Sequence, residues 1–138
     1  MKDQYILVLE DNPQRHAIFR KNFADGNHLV IVETAKEAIA LLDNERWDFL
    51  FLDHDLGGQI MVPSGPDTGY EVALWLEAHV NKNPDNIIIH SHNIIGSAKM
   101  HAAIKGSYLL SGAWMHTDLI SNWEIAEPYL CNLGLKSR

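Results

Sequence analysis

A single three-layer, doubly wound α/β domain with a five-stranded parallel sheet is the fold class the sequence predicts, and three observations carry that prediction. Short apolar runs alternate with amphipathic stretches, the pattern of successive βαβ units. The 138 residues suit one domain with a real core, and 46% are hydrophobic against 21% charged, a soluble balance. No linker, repeat or low-complexity segment divides residues 1–138, so they read as one unit.

The elements follow in order. Tyr5-Ile6-Leu7-Val8-Leu9 is a buried strand ending in Glu10-Asp11. Asn12-Pro13 reads as an N-cap and a first-turn proline, opening a helix that carries Ile18, Phe19 and Phe23. Asp25-Gly26-Asn27 closes it, and His28 to Val32 is the second strand. Thr34-Ala35-Lys36-Glu37 is a capping box before a helix with Ala35, Ala38, Ile39 and Leu42 on one stripe. Phe49 to Leu52 is the third strand and runs into Asp53-His54-Asp55. A loop rich in glycine and proline spans Gly57 to Asp67, and Thr68-Gly69-Tyr70-Glu71 opens a helix with Val72, Trp75, Leu76 and Val80 facing inward. Pro84-Asp85-Asn86 turns into the fourth strand, Ile87-Ile88-Ile89, ending in His90-Ser91-His92-Asn93. A helix is expected from about Gly96 to Leu110, with a fifth strand at Ala113 to His116. Beyond it, either a helix from Ser121 kinked at Pro128 or a loop and then a helix from Pro128 fits the pattern.

Composition excludes several functions. A net charge of −7, with Lys and Arg scattered singly, offers no basic face for long duplexes. It leaves room for a small phosphorylated ligand held by metal. No apolar run approaches the roughly 20 residues of a membrane span, and no secretory signal pattern opens the chain. The lone Cys131 cannot form an internal disulfide, which suits a reducing cytoplasm, and its neighbours read as buried helix.

Ligands of open parallel sheets bind beyond the carboxyl ends of the strands. Three strands here end in polar clusters on that edge: Glu10-Asp11, Asp53-His54-Asp55 and His90-Ser91-His92-Asn93. A doubly wound order sets strands one and three side by side, so their carboxylates would lie close. Close carboxylates repel unless one is protonated or a cation sits between them. The expected metal ligands are therefore Glu10, Asp11, Asp53 and Asp55, and the expected cation is Mg²⁺ or Mn²⁺. The plainer alternative makes Asp53 and Asp55 a solvated strand end and Glu10-Asp11 a helix-capping pair.

His90 and His92 point to the same side of an extended strand. His90 is placed as a general acid/base or phosphate ligand, whereas His92 reads as a buried histidine beside a carbonyl. His54 is a metal ligand, a general acid or a wedge on the opposite side of its strand. Ser91 and Asn93 suit phosphoryl oxygens, and Arg15 suits either phosphate or an ion pair with a neighbouring carboxylate. Trp47, Trp75, Trp114 and Trp123 read as core, and His16, His28, His79 and His101 as surface or packing residues.

Ile6 to Asn12 followed by Phe51-Leu52-Asp53 resembles a response-regulator receiver domain. That resemblance implies the flavodoxin-like strand order 2-1-3-4-5. It also implies that Glu10 and Asp11 form the acidic pair that binds Mg²⁺, Asp53 the phosphoacceptor and Ser91 the strand-four hydroxyl. There are departures. The family's strand-five lysine is missing from Ala113 to Asp118, and His54-Asp55-Leu56-Gly57-Gly58 replaces the usual apolar residue and proline. The departures resemble a branch, the cyclic-phosphate-processing receiver domains of bacteria and phages. The matching pieces are Glu10-Asp11-Asn12-Pro13-x-Arg15, Leu52 to Gly57, Asp67-Thr68-Gly69-Tyr70 and His90-Ser91-x-Asn93-x-x-Gly96-x-x-x-Met100.

The branch implies a metal-dependent phosphoesterase acting on a cyclic nucleotide or an RNA end. There Glu10, Asp11 and Asp53 would hold the metal with Asp55 assisting, and His90 or His54 would protonate the leaving oxygen. The alternative is a stand-alone receiver phosphorylated on Asp53 that signals through a protein partner. A third reading is an interaction domain whose site has drifted; extra histidines at the site edge speak against simple decay.

Overall fold

The computed structural model describes residues 4–56, 63, 65–91 and 93–109. Five parallel strands form one sheet in the order β2-β1-β3-β4-β5. They are β1 (Tyr5–Leu9), β2 (His28–Val32), β3 (Phe49–Leu52), β4 (Asn86–Ile89) and β5 (Tyr108–Leu109). Among the described residues the helices are α1 (Pro13–Phe23), α2 (Ala35–Asn44), α3 (Gly69–Ala78) and α4 (Ile94–Ala103), with a short 3₁₀ turn at Val80–Lys82.

The side-chain period of two divides the buried strands between two cores. Ile6, Val8, Phe49, Phe51 and Ile88 meet Phe19 and Phe23 of α1. Leu7, Leu9, Leu50, Leu52, Ile87 and Ile89 meet Ala38 and Leu42 of α2, Val72 and Leu76 of α3, and Met100 of α4. Each of these large apolar side chains contributes about 1.5–3 kcal/mol by leaving water. Side-chain caps start the helices. Asn12 accepts from the Gln14 and Arg15 amides, Thr34 from Glu37 and Thr68 from Tyr70. The Thr34 hydroxyl also donates to Glu37 Oε1, so this capping pair closes side chain to side chain.

Register positions the site. Leu9 pairs with Leu52 and Leu52 with Ile89, so Glu10, Asp53 and His90 leave the sheet at one level. The ladder holds all three backbones: Asp53 N donates to Leu9 O, His90 N to Leu52 O, and Glu10 N to Val32 O.

The structure corrects several expectations. α4 ends at Ala103 rather than Leu110, and β5, at Tyr108–Leu109, falls within the span read as helix. Gly106 causes the difference: its φ of +81° is left-handed, a turn that glycine adopts without strain. Val80 is exposed instead of inward, because α3 has ended and the chain there is a 3₁₀ turn. Trp47 is core as expected, whereas Trp75 is half-buried and stacks on His79 at 4.3 Å. The expectations at His92, Ala113–His116, Trp114, Trp123, Pro128 and Cys131 lie outside the described residues.

Candidate metal and phosphate site

Glu10 is fully buried at the end of β1, and the start of α1 wraps its carboxylate in donors. Oε2 accepts from the Asp11 and Asn12 amides, both at 3.1 Å. Oε1 accepts from Arg15 Nη1 at 3.1 Å and from His90 Nε2 at 3.0 Å. Burial pushes the Glu10 carboxyl up, but the His90 hydrogen bond and charge, the Arg15 charge and the Asn12 amide outweigh it and hold it at about 2. Glu10 is therefore an ionised carboxylate beneath the surface. His16, expected as a surface or packing residue, is buried and hydrogen-bonds the Glu10 carbonyl through Nε2.

Asp53, at the end of β3, is also buried. Burial first, then the Glu10 charge beside it, raises its carboxyl well above the usual 3.8; Arg15 and a hydrogen bond from Ser91 oppose the shift. Arg15 Nη1 lies 3.9 Å from Asp53 Oδ2, so one guanidinium serves both buried acids. Oxygens of Glu10, Asp11 and Asp53 all fall within 4.8 Å of one another. Asp11 is the half-exposed member, at the mouth.

Asp55 is directed elsewhere. Its Oδ1 accepts from His54 Nδ1 at 2.7 Å and from Asn93 Nδ2 at 3.1 Å. The Asn93 amide is oriented by its own Oδ1, which accepts from Gly96 N at 2.8 Å and caps α4. The Asn93 backbone N–H donates to Ser91 Oγ at 3.1 Å. A connected path thus runs from Asp53 through Ser91, Asn93 and Asp55 to His54.

Two glycines let the helices close on this path. A Cβ on Gly69 would fall 1.9 Å from Asp53 O, and Gly69 N donates to His54 O at 2.8 Å. A Cβ on Gly96 would fall 2.4 Å from the His54 ring. His54 is consequently sealed, at 0% exposure, and His90 at 2% is wedged against Phe19 and Phe51, with no hydrogen-bond partner for its Nδ1 among the described residues.

All the sequence-predicted site residues reach the carboxyl edge, but in two groups. Glu10, Asp11, Asp53, Arg15 and His90 form one; Asp55, His54 and Asn93 form the other, with Ser91 between them. Sequence reading leaves His16 between surface and packing, and nothing local marks its contact with the site, since its partner is a main-chain carbonyl across the turn.

The strand order and the acidic edge define a receiver domain. The phosphorylated cyanobacterial phytochrome response regulator RcpA is similar with a TM-score of 0.67 at 18% identity, over 92% of this chain and 93% of its own. Response regulator TrrA from Thermotoga maritima, in complex with Mg²⁺-BeF, gives 0.57 at 20% identity over 88% and 97%. The receiver domain of a sensor histidine kinase from Pseudomonas aeruginosa, with a magnesium ion coordinated in its active-site cleft, gives 0.58 at 22% over 88% and 97%. No curated protein matches the chain. The family model for the cyclic-phosphate processing receiver domain matches residues 5–106, and the chain belongs to that family.

Proposed function

We propose that this receiver domain is a metal-dependent phosphoesterase that opens a cyclic phosphate in a cyclic nucleotide or at an RNA end. The observation that carries the reading is the convergence of Glu10, Asp11 and Asp53 within 4.8 Å at the mouth of the sheet, inside the segment matched by the family. This donor set is all carboxylate oxygen, with neither thiolate nor imidazole in it, and so fits a hard divalent cation, Mg²⁺ or Mn²⁺. Receiver structures solved with magnesium support the same choice. Bound there, the cation would neutralise phosphate charge and lower the pKa of a water.

Asp11 and Asp53 would hold it, with Glu10 as the fixed third carboxylate. Asp55 supports from behind, through His54 and Asn93. Arg15 at the rim meets the phosphoryl oxygens. Ser91 and Asn93 keep Asp53 and the start of α4 in place around them. In ring opening, water oxygen joins phosphorus and gives up a proton, the bond from phosphorus to one ribose oxygen breaks, and that oxygen takes a proton. Both candidate imidazoles, His54 and His90, lie beneath the surface, so we assign them positioning roles and the proton to solvent. The substrate is small, in keeping with a net charge of −7 and with Lys and Arg scattered singly along the sequence, and the cytoplasm is the compartment in which Cys131 stays reduced.

The Ser91–Asp53 hydrogen bond favours a second reading, a receiver phosphorylated on Asp53 that binds a protein partner when modified. A small phosphodonor with Mg²⁺ separates the two. The esterase forms no lasting adduct, whereas the signalling receiver gives an acid-labile phosphoryl group that Asp53→Asn abolishes.

A further inference from the structure

We propose that Arg15 is the internal counter-ion of the carboxylate cluster and competes with a divalent cation for it, swinging from Asp53 towards the mouth when the cation enters. The inference rests on the metal reading above and assigns Arg15 a second state. Its Nη1 stands 3.1 Å from Glu10 Oε1, 3.4 Å from Glu10 Oε2 and 3.9 Å from Asp53 Oδ2. Those two residues supply two of the three acids whose oxygens converge. A divalent cation on these oxygens would be a near neighbour of the guanidinium, and like charges that close in a partly buried setting repel strongly.

Arg15 is the member of the cluster that can yield. It stands on the first turn of α1 with its side chain 12% exposed, at the rim, where a long side chain reaches water by rotating its stem. Glu10 cannot yield, because His90 Nε2 and the amides of Asp11 and Asn12 hold it independently of Arg15. The cluster therefore keeps its shape when the guanidinium leaves, and the displaced cationic head lies where a phosphate would approach. One side chain would thus balance charge in the empty site and hold phosphate in the loaded one.

The test reads binding and needs no turnover. Mn²⁺ is titrated by the electron paramagnetic resonance of the free ion, and inorganic phosphate is titrated onto the Mn²⁺-loaded protein. In Arg15→Gln, Mn²⁺ should bind about tenfold or more tightly and phosphate about tenfold or more weakly, since a cation has been removed from both encounters. Arg15→Lys keeps the charge and should stay within about threefold of the unmodified protein for Mn²⁺. The unmodified protein provides a measurement that no folding defect can spoil: the Arg15 Nε–Hε nuclear magnetic resonance signal should shift with the same Mg²⁺ midpoint as binding. Mn²⁺ affinity that is unchanged or weaker in folded Arg15→Gln, or an Arg15 signal that stays fixed while Mg²⁺ binds, overturns the inference and leaves the metal reading intact. Absence of metal binding by both proteins overturns the two together.

Discussion

His90 Nε2 lies 3.0 Å from Glu10 Oε1 and so ties the end of β4 to the end of β1 across the intervening β3. An ionised carboxylate only accepts, so the imidazole donates, and its ring fills the space between Phe19 and Phe51. His90→Ala removes a donor from a buried charge and opens a cavity beside two phenylalanines. The expected loss is about 2–4 kcal/mol, read by urea denaturation of the metal-free protein. A change under about 0.5 kcal/mol would mean the ring is not seated there.

The two close-approach glycines rank in order. Gly69→Ala puts a methyl 1.9 Å from a main-chain oxygen that has nowhere to go, whereas Gly96→Ala meets the His54 ring at 2.4 Å. Both should destabilise by about 1–3 kcal/mol or more, with Gly69→Ala the worse. Thermal melting of the two variants checks the order, and equal melting temperatures to the unmodified protein would contradict the packing.

Asp11 and Asp55 part company by role. Asp11→Asn should leave the metal-free melting temperature nearly unchanged and abolish the rise that Mn²⁺ gives, a rise worth about 2.7 kcal/mol at a hundred times the dissociation constant. Asp55→Asn should lower the metal-free melting temperature, because the pairing with His54 Nδ1 and Asn93 Nδ2 loses its charge and weakens. Calorimetry with and without Mn²⁺ distinguishes the two, and a reversal of roles would move the metal site to Asp55.

Much of this was legible from residue types and order. Apolar runs gave β1 to β4, Asn12, Thr34 and Thr68 gave three helix starts, and polar residues directly after three strands gave the site edge. Two kinds of feature were not legible. The stretch from Gly96 to Leu110 reads as one helix, and only the left-handed turn at Gly106 reveals that β5 follows. Contacts between distant side chains leave no local trace either. The sealing of His54 by Gly96, the division of Asp55 from Asp11, and the burial of His16 each depend on how two helices pack onto strand ends.

The pH dependence follows from two opposite shifts. Folded Glu10, near 2 against its usual 4.5, contributes stability that is present above 4.5 and lost as pH falls towards 2. Folded Asp53, raised above 3.8, holds a proton that the unfolded chain has released, so its contribution is present below 3.8 and lost as pH rises through the folded value. Metal-free stability should therefore decline on the alkaline side of pH 4, and Asp53→Asn should flatten that limb. Divalent-cation affinity should rise over the same window by up to about tenfold per pH unit, since binding expels the proton. Denaturation and Mn²⁺ titrations at a series of pH values check both, and an affinity independent of pH would show that Asp53 is already ionised.

The most direct test of a cation-loaded carboxylate edge that acts on phosphate is a turnover assay on the purified chain. It would use 2′,3′-cyclic nucleotides and a cyclic-ended RNA in Mg²⁺ or Mn²⁺, with products resolved by phosphorus resonance. Expected is ring opening to a phosphomonoester, abolished by chelator and reduced at least about a hundredfold in Asp11→Asn. An intact cyclic phosphate throughout, together with a stable acid-labile phosphoryl group on Asp53, would contradict it.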